Sequence, residues 1–179
     1  MNALSKSRFK QGLECPNKLY FSNNKEVFHN VKNEDPFLQA LASGGFQVEE
    51  YARLQYPGGV LIEDPEDREN YDYQDLANQT SDLLKQENVV IYEAAFYIND
   101  LFIRTDVLVK KGTHIQLIEV KAKSIDPKNS NTFVGSQGKL ASSWKPYLFD
   151  LAFQTHVTKL CLPECKITPY LCLVDKSKV

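Results

Sequence analysis

The sequence predicts an α+β domain built on a mixed central sheet flanked by helices, and three observations carry that expectation. From Asn88 to Lys123, β-branched and aromatic residues recur with period two, which reads as three consecutive strands. Helical spacings flank this block on both sides. Two short apolar runs outside it, Val60-Leu61-Ile62 and Ile167 to Val174, add strands separated from the block by helices, so the order is helix, helix, strand, helix, three-strand meander, helix, strand.

A chain of 179 residues, 42% hydrophobic and 25% charged, fits one domain, 1–179, with a core of its own. Twenty-one Lys and Arg against 23 Asp and Glu give a net charge of −2, so any anion site must be local. No apolar run approaches the roughly 18 residues of a membrane span, and Met1 to Lys10 lacks the apolar stretch of a signal peptide. The expectation is a cytoplasmic protein without a membrane partner. Because Val179 follows directly on a strand-like run, a longer protein with a further C-terminal domain is also expected.

Taken in order, Leu4 to Phe21 reads as two short helical pieces broken at Cys15-Pro16, with Ser5 as N-cap. Asp35-Pro36 is a helix start, with Asp at the cap and Pro at the first turn, and Gly58-Gly59 ends that region. Val60-Leu61-Ile62 is a candidate buried strand, and the acidic stretch Asp64 to Asp75 leads into a helix carrying Leu76, Leu83 and Leu84. After the meander, Ser124 to Ser142 is a polar loop and Ser143 to Leu160 a helix.

Two turns fix the register of the meander. Asn99-Asp100 forms a two-residue loop if Ile98 faces Leu101, which sets Glu93 opposite Asp106. Gly112-Thr113 suits a type II′ turn with Lys111 facing His114, which sets Asp106 opposite Glu119. Alternation then puts Arg104 and Lys121 on the same face as the three acids, with Val107, Val109, Ile118 and Val120 on the other: one face core, one face charge. Like charges opposite one another destabilise a sheet. They therefore call for Arg104 and Lys121 as neutralising partners, or for a hard divalent cation such as Mg²⁺ or Mn²⁺.

Asp106, a hairpin, then Glu119-Val120-Lys121 resembles the D…ExK core of the PD-(D/E)XK nuclease superfamily. The helix Phe46-Gln47-Val48-Glu49-Glu50-Tyr51-Ala52-Arg53 is similar to the first-motif glutamate helix of its RecB-like branch. The helix Tyr147 to Thr158, with Asp150 and Gln154, resembles that branch's glutamine-bearing helix. Leu4-Ser5-Lys6-Ser7-Arg8-Phe9 and Cys15-Pro16-Asn17-Lys18-Leu19-Tyr20 resemble the opening of RecB-like and CRISPR-associated exonucleases, and an uncharacterised bacterial group in which such a domain heads a longer protein. Thr105 stands where the family often has Pro, and Thr158 where the branch commonly has Tyr.

The resemblance implies a restriction-endonuclease-like core of α/β/α type, and a Mg²⁺- or Mn²⁺-dependent nuclease acting on DNA. Glu50, Asp106, Glu119 and the Val120 carbonyl would hold metal, and Lys121 would act on the attacking water or the transition state. Glu50 is preferred to Glu49 because Phe46 and Leu54 lie one turn either side of it. Glu93 is an accessory ligand or an acceptor behind the ligands, and Gln154 an accessory residue. The alternative is a non-catalytic nucleic-acid-binding or assembly module on the same fold.

Some CRISPR-associated exonucleases hold an iron–sulfur cluster on one early and three late cysteines, and Cys15, Cys161, Cys165 and Cys172 invite the comparison. Cys161 falls at a helix end and Cys172 inside Tyr170-Leu171-Cys172-Leu173, so a buried, cluster-free reading is preferred. No His pair has metal-ligand spacing. Lys123, Lys128, Lys139 and Lys145, on and around the loop after Lys121, form the one basic stretch beside the acids and are candidate phosphate contacts.

Overall fold

The computed structural model describes residues 3–24, 26–28, 35–64, 72–128, 133–135 and 137–177. In chain order the elements are β1 (Leu4–Ser5), α1 (Lys6–Glu14), α2 (Pro16–Asn23), α3 (Pro36–Arg53), β2 (Val60–Leu61), α4 (Tyr73–Leu83), β3 (Asn88–Ile98), β4 (Leu101–Lys111), β5 (His114–Ile125), α5 (Lys145–Cys161) and β6 (Lys166–Asp175). The result is an α+β architecture with a mixed six-stranded sheet flanked by helices. Most of the acidic stretch between Asp64 and Asp75, and His29, lie outside the described residues.

The helix boundaries follow local chemistry. The Ser5 hydroxyl caps α1 by accepting from the Arg8 N–H at 3.4 Å. Pro16, which has no N–H to give, opens α2 at a position that needs none. Asp72 caps α4, accepting from the N–H groups of Gln74 and Asp75 at 2.8 and 3.2 Å. α3 runs unbroken through Gly44-Gly45. Each glycine costs about 1 kcal/mol of helix propensity, but Val48 and Ala52 beyond them pack on the sheet and hold the helix in place.

Sheet order is β2-β3-β4-β5-β6, antiparallel from β3 to β5 and parallel at β2/β3 and β5/β6. Both turn registers are as the sequence argument sets them, Ile98↔Leu101 and Lys111↔His114. Asn99 and Asp100 have φ of 50° and 59°, the left-handed pair a two-residue loop demands, and Gly112 has φ of 56°. β2 departs from expectation. It is an edge strand whose Val60 and Leu61 are each 43% exposed, and only Ile62 just beyond it is buried.

The β4–β5 ladder stops at Val107↔Ile118. Past that point β1 takes over the edge of β4 that β5 leaves, with Leu4↔Leu101 and Ser5↔Phe102 in parallel. The two central strands therefore form a fork, and α1 begins inside it with Lys6 as its first residue. Apolar layers cover both faces of the sheet. On one, Val107, Val109, Ile118 and Val120 pack with Ala52 and Val48 of α3. On the other, Ile91, Leu108 and Ile115 pack with Leu76 of α4 and Phe153 and Val157 of α5, and Phe9 of α1 stacks on Phe153 at 4.3 Å. The expected division into one core face and one charged face is thus corrected: both faces are core, and the charge is gathered in the fork.

Candidate functional site

Asp106 and Glu119 are the two residues just past the last ladder pair, and both are buried, at 6% and 0% exposed. With the backbone ladder gone, the Asp106 carboxylate makes the cross-strand link itself: Oδ2 accepts the Val120 N–H at 2.6 Å. Glu119 accepts from the Gln154 amide at 2.6 Å and from the Lys121 ammonium. The Lys121 ammonium also donates to the Val120 carbonyl at 3.1 Å and lies 3.9 Å from Asp150 Oδ2. Asp150 and Gln154 stand one turn apart on α5, fully buried beneath the fork.

Sequence reasoning did not single out Lys6. Its ammonium donates to the two Glu119 oxygens at 3.3 and 3.2 Å and lies 3.5 Å from Asp106 Oδ1, so it joins the two strands' carboxylates. Lys10, one turn on, is 3.7 Å from Asp150 Oδ2. The signal was present in the opening Leu4-Ser5-Lys6-Ser7-Arg8, but nothing local says that this segment lies against a strand 113 residues away.

Above the fork, a cleft of about 490 Å³ is lined by Lys6 and Asp106 at its floor and by Phe46, Glu49, Arg53, Glu93 and Arg104 among its walls. The helix acid facing it is Glu49, not Glu50. The expectation took Phe46, Glu50 and Leu54 as the inward stripe, yet Phe46 is 66% and Leu54 74% exposed, and Glu50 is exposed with them. The stripe that meets the sheet runs through half-buried Val48 and buried Ala52 to Tyr56 just past the helix, and carries Glu49 and Arg53 at its margin.

Glu93 also departs from its expected place. The register does set it opposite Asp106, but its φ of 57° breaks the ladder there, between Tyr92↔Val107 and Ala94↔Thr105. Its carboxylate pairs with Arg53 at 3.0 Å and Arg104 at 3.5 Å. Arg104 binds Asp64, the Ile62 carbonyl at 2.5 Å and Glu93. The expected row of three carboxylates is replaced by a pair at the fork and a Glu93–arginine group on the cleft wall.

Burial and charge divide the acids. Burial raises the Glu49 carboxyl to about 7, helped by Asp106 and Glu93. Burial likewise raises Asp106, with Lys6 opposing and Glu119 reinforcing. Burial pushes Glu119 the same way, but Lys6 and Lys121 outweigh it and hold this carboxyl well below the usual range. Asp150 is raised, first by burial and then by Glu119. Burial alone would lower the Lys6 ammonium, yet Asp106, Glu119 and Asp150 raise it overall, so it stays charged.

Lys123 places its ammonium over the Trp144 and Tyr147 rings at 4.6 and 5.2 Å, a cation–π arrangement in which Trp144 is only 5% exposed. Lys128, Lys139 and Lys145 are exposed. His114 shares a hydrogen bond with the Thr168 hydroxyl at 2.8 Å, and His156 is exposed. The four thiols are free; Cys161 and Cys165 pack against one apolar layer and Cys172 against the other.

Among the described residues no three His, Cys, Asp or Glu side chains form a chelating group by themselves. The fork offers two carboxylates and the Val120 carbonyl, an oxygen-only set of the size from which Mg²⁺ is usually held with waters and substrate oxygen completing the shell. Two buried oxygens beside it, Asp150 Oδ2 and Gln154 Oε1, have no hydrogen-bond partner. Such a donor set fits a hard divalent cation. Comparison with protein-family models, with curated proteins and with solved structures finds no match. No described helix is long and apolar enough to cross a membrane.

Proposed function

We propose that this protein is a metal-dependent nuclease of the PD-(D/E)XK type, with a restriction-endonuclease-like core of the RecB-like branch, and that it hydrolyses phosphodiester bonds in DNA. One observation carries the reading: Asp106 and Glu119 converge where their strands part, both within 3.5 Å of one ammonium, with Lys121 hydrogen-bonded to Glu119. An apolar sheet does not bury two carboxylates at a strand fork without a cation to share.

A bound Mg²⁺ or Mn²⁺ supplies a Lewis acid that polarises the phosphate and lowers the pKa of water. Asp106, Glu119 and the Val120 carbonyl are the groups to hold it, with Glu49 taking the helix acid's part that sequence reasoning gave to Glu50. Gln154, by donating to Glu119 at 2.6 Å, fixes which way that carboxylate faces. Lys121, already beside the acids and the Val120 carbonyl, orients the attacking water or meets the charge that develops on the phosphate oxygens. The bound strand occupies the cleft above the fork, where Arg53 and Arg104 lie. A non-catalytic nucleic-acid-binding module on the same fold is the second reading; it is favoured by the finding that no three His, Cys, Asp or Glu side chains among the described residues converge as a chelating group.

The test is incubation of the protein, Asp106→Asn and Lys121→Ala with labelled single- and double-stranded DNA and RNA in Mg²⁺, Mn²⁺ or chelator. Cleavage by the unaltered protein should require metal, and each variant should lose about 10²-fold or more. Lys121→Ala should keep its metal-induced rise in melting temperature. Metal-free Asp106→Asn should melt no lower than the parent, since it relieves a buried charge facing Glu119. Undiminished cleavage by Asp106→Asn would sink the catalytic assignment, and no cleavage of any substrate with metal present would favour the second reading.

A further inference from the structure

The fork carries one cation that the nuclease reading leaves without work. Lys121 has a place in that reading; Lys6 has none, yet it is the ammonium that spans both strands' carboxylates. Three buried carboxylates, Asp106, Glu119 and Asp150, are matched by three ammoniums, Lys6, Lys10 and Lys121. The cluster is therefore close to neutral as it stands. A divalent ion entering between Asp106 and Glu119 would need the same carboxylate lone pairs and would bring two further positive charges.

One ammonium must give way, and the geometry selects which. Lys121 touches Glu119, the Val120 carbonyl and Asp150, but no ion pair joins it to Asp106. Lys6 is the one lodged between Asp106 and Glu119, a quarter of its side chain is exposed, and it lines the cleft floor. Its four-carbon stem can swing the ammonium upward while the first turn of α1 stays fixed by the Ser5 cap and the pairing of β1 with β4. Gln154 Oε1, buried without a hydrogen-bond partner, and Asp150 Oδ2, which has ammoniums at 3.7 and 3.9 Å but no hydrogen bond, independently indicate that the metal-free arrangement leaves oxygen ligands short of donors.

We propose that Lys6 is a stand-in for the divalent ion: its ammonium occupies the cation position between Asp106 and Glu119 until metal displaces it into the cleft, where it binds a substrate phosphate. This rests on the metal-dependent reading. It adds a residue that couples the two binding events, because the cation freed by metal is the one the phosphate then engages. Arg53 and Arg104, the cleft's other cations, are paired with Glu93, so the displaced ammonium is the cation whose carboxylate partners have just been taken.

The test uses the full chain with Lys6→Met, which keeps the apolar stem, and Lys6→Arg, which keeps the charge. Mn²⁺ affinity without nucleic acid is read from the electron paramagnetic resonance signal of free Mn²⁺. Affinity for a short single-stranded DNA is read by fluorescence anisotropy in Ca²⁺, with the 5′ label confirmed intact afterwards. Lys6→Met should bind Mn²⁺ about tenfold more tightly than the unaltered protein, the scale of one lost charge-assisted competitor, and the DNA several-fold more weakly. Lys6→Arg keeps the competing charge and gains a guanidinium suited to bridging carboxylates, so it should bind Mn²⁺ no more tightly than the unaltered protein. Equal or weaker Mn²⁺ binding by Lys6→Met would overturn the stand-in assignment alone, and unchanged DNA affinity would overturn its phosphate role. If neither the unaltered protein nor Lys6→Met binds Mn²⁺, the metal-dependent reading fails and this inference with it.

Discussion

From Lys111↔His114 to Val107↔Ile118, the β4–β5 pair is held by backbone hydrogen bonds and by apolar side chains on both faces, Val107 and Val109 toward α3 and Leu108 toward α5. One residue further on, the same strands part, and Asp106, Glu119, Lys121, Lys6 and Gln154 hold them instead. The closed end is stabilised by burial, which is non-directional and nearly additive in area. The forked end replaces it with carboxylates taken out of water, whose desolvation is offset only in part by their pairing. The stability of this domain therefore resides in the closed end, while the forked end is tolerated because the rest of the sheet holds it.

The largest expected effect breaks the closed end. Leu108 is fully buried, so Leu108→Ala should lower the free energy of unfolding by about 3 kcal/mol through lost transfer energy and a residual cavity. Urea denaturation would measure it, and a loss under 1 kcal/mol would show that this half of the hairpin is not where stability resides.

A smaller effect sharpens the contrast at the cleft. The Glu49 carboxyl, ordinarily near 4.5, is raised to about 7 in the folded protein. Between those values the folded state holds a proton that the unfolded chain has released. Stability must therefore fall as pH climbs through that window and level off above it. Because Glu49 is only half-buried, solvent screening reduces the effect to about 1 kcal/mol. Glu49→Gln should remove this slope and leave the protein about that much more stable at pH 8, read from denaturation curves at pH 5 and pH 8. An unchanged slope would show that Glu49 is not the titrating group.

The smallest effect is at its neighbour. Glu50 is exposed and faces away from the cleft, so Glu50→Gln should change stability by less than about 0.5 kcal/mol and leave metal-dependent cleavage as it was. A cleavage defect in Glu50→Gln matching that of Asp106→Asn would reverse the choice between the two helix acids.

Much of the frame was legible in the residues. Element order apart from β1, the Ser5 cap and both hairpin registers followed from local signals: period-two patterning, an N-cap residue, and loop residues whose left-handed φ few side chains other than Asn, Asp and Gly accept. Glu93 was misplaced because a left-handed residue inside a strand has no signature in a side chain that ordinarily avoids it. Glu50 was preferred to Glu49 because Phe46 and Leu54 were read as the core face, whereas they are exposed, Ala52 is buried and Val48 is half-buried against the sheet. With apolar residues on both stripes of a helix, periodicity does not say which stripe meets the sheet.

The sequence by itself determined where the strands turn and therefore that Asp106 and Glu119 fall opposite one another, because hairpin geometry is set by two residues and counts outward from them. Only the tertiary structure decided that the ladder opens at that pair, that β1 fills the edge β5 vacates, and that Lys6, Asp150 and Gln154 close around the opening. Those partners come from segments 31 to 113 residues away, as the separations of Gln154 from Glu119 and of Lys6 from Glu119, 35 and 113, illustrate. The energy that joins them is the shared burial of two apolar layers together with the need of each buried charge for an opposite one. Neither is a property of any short stretch of chain.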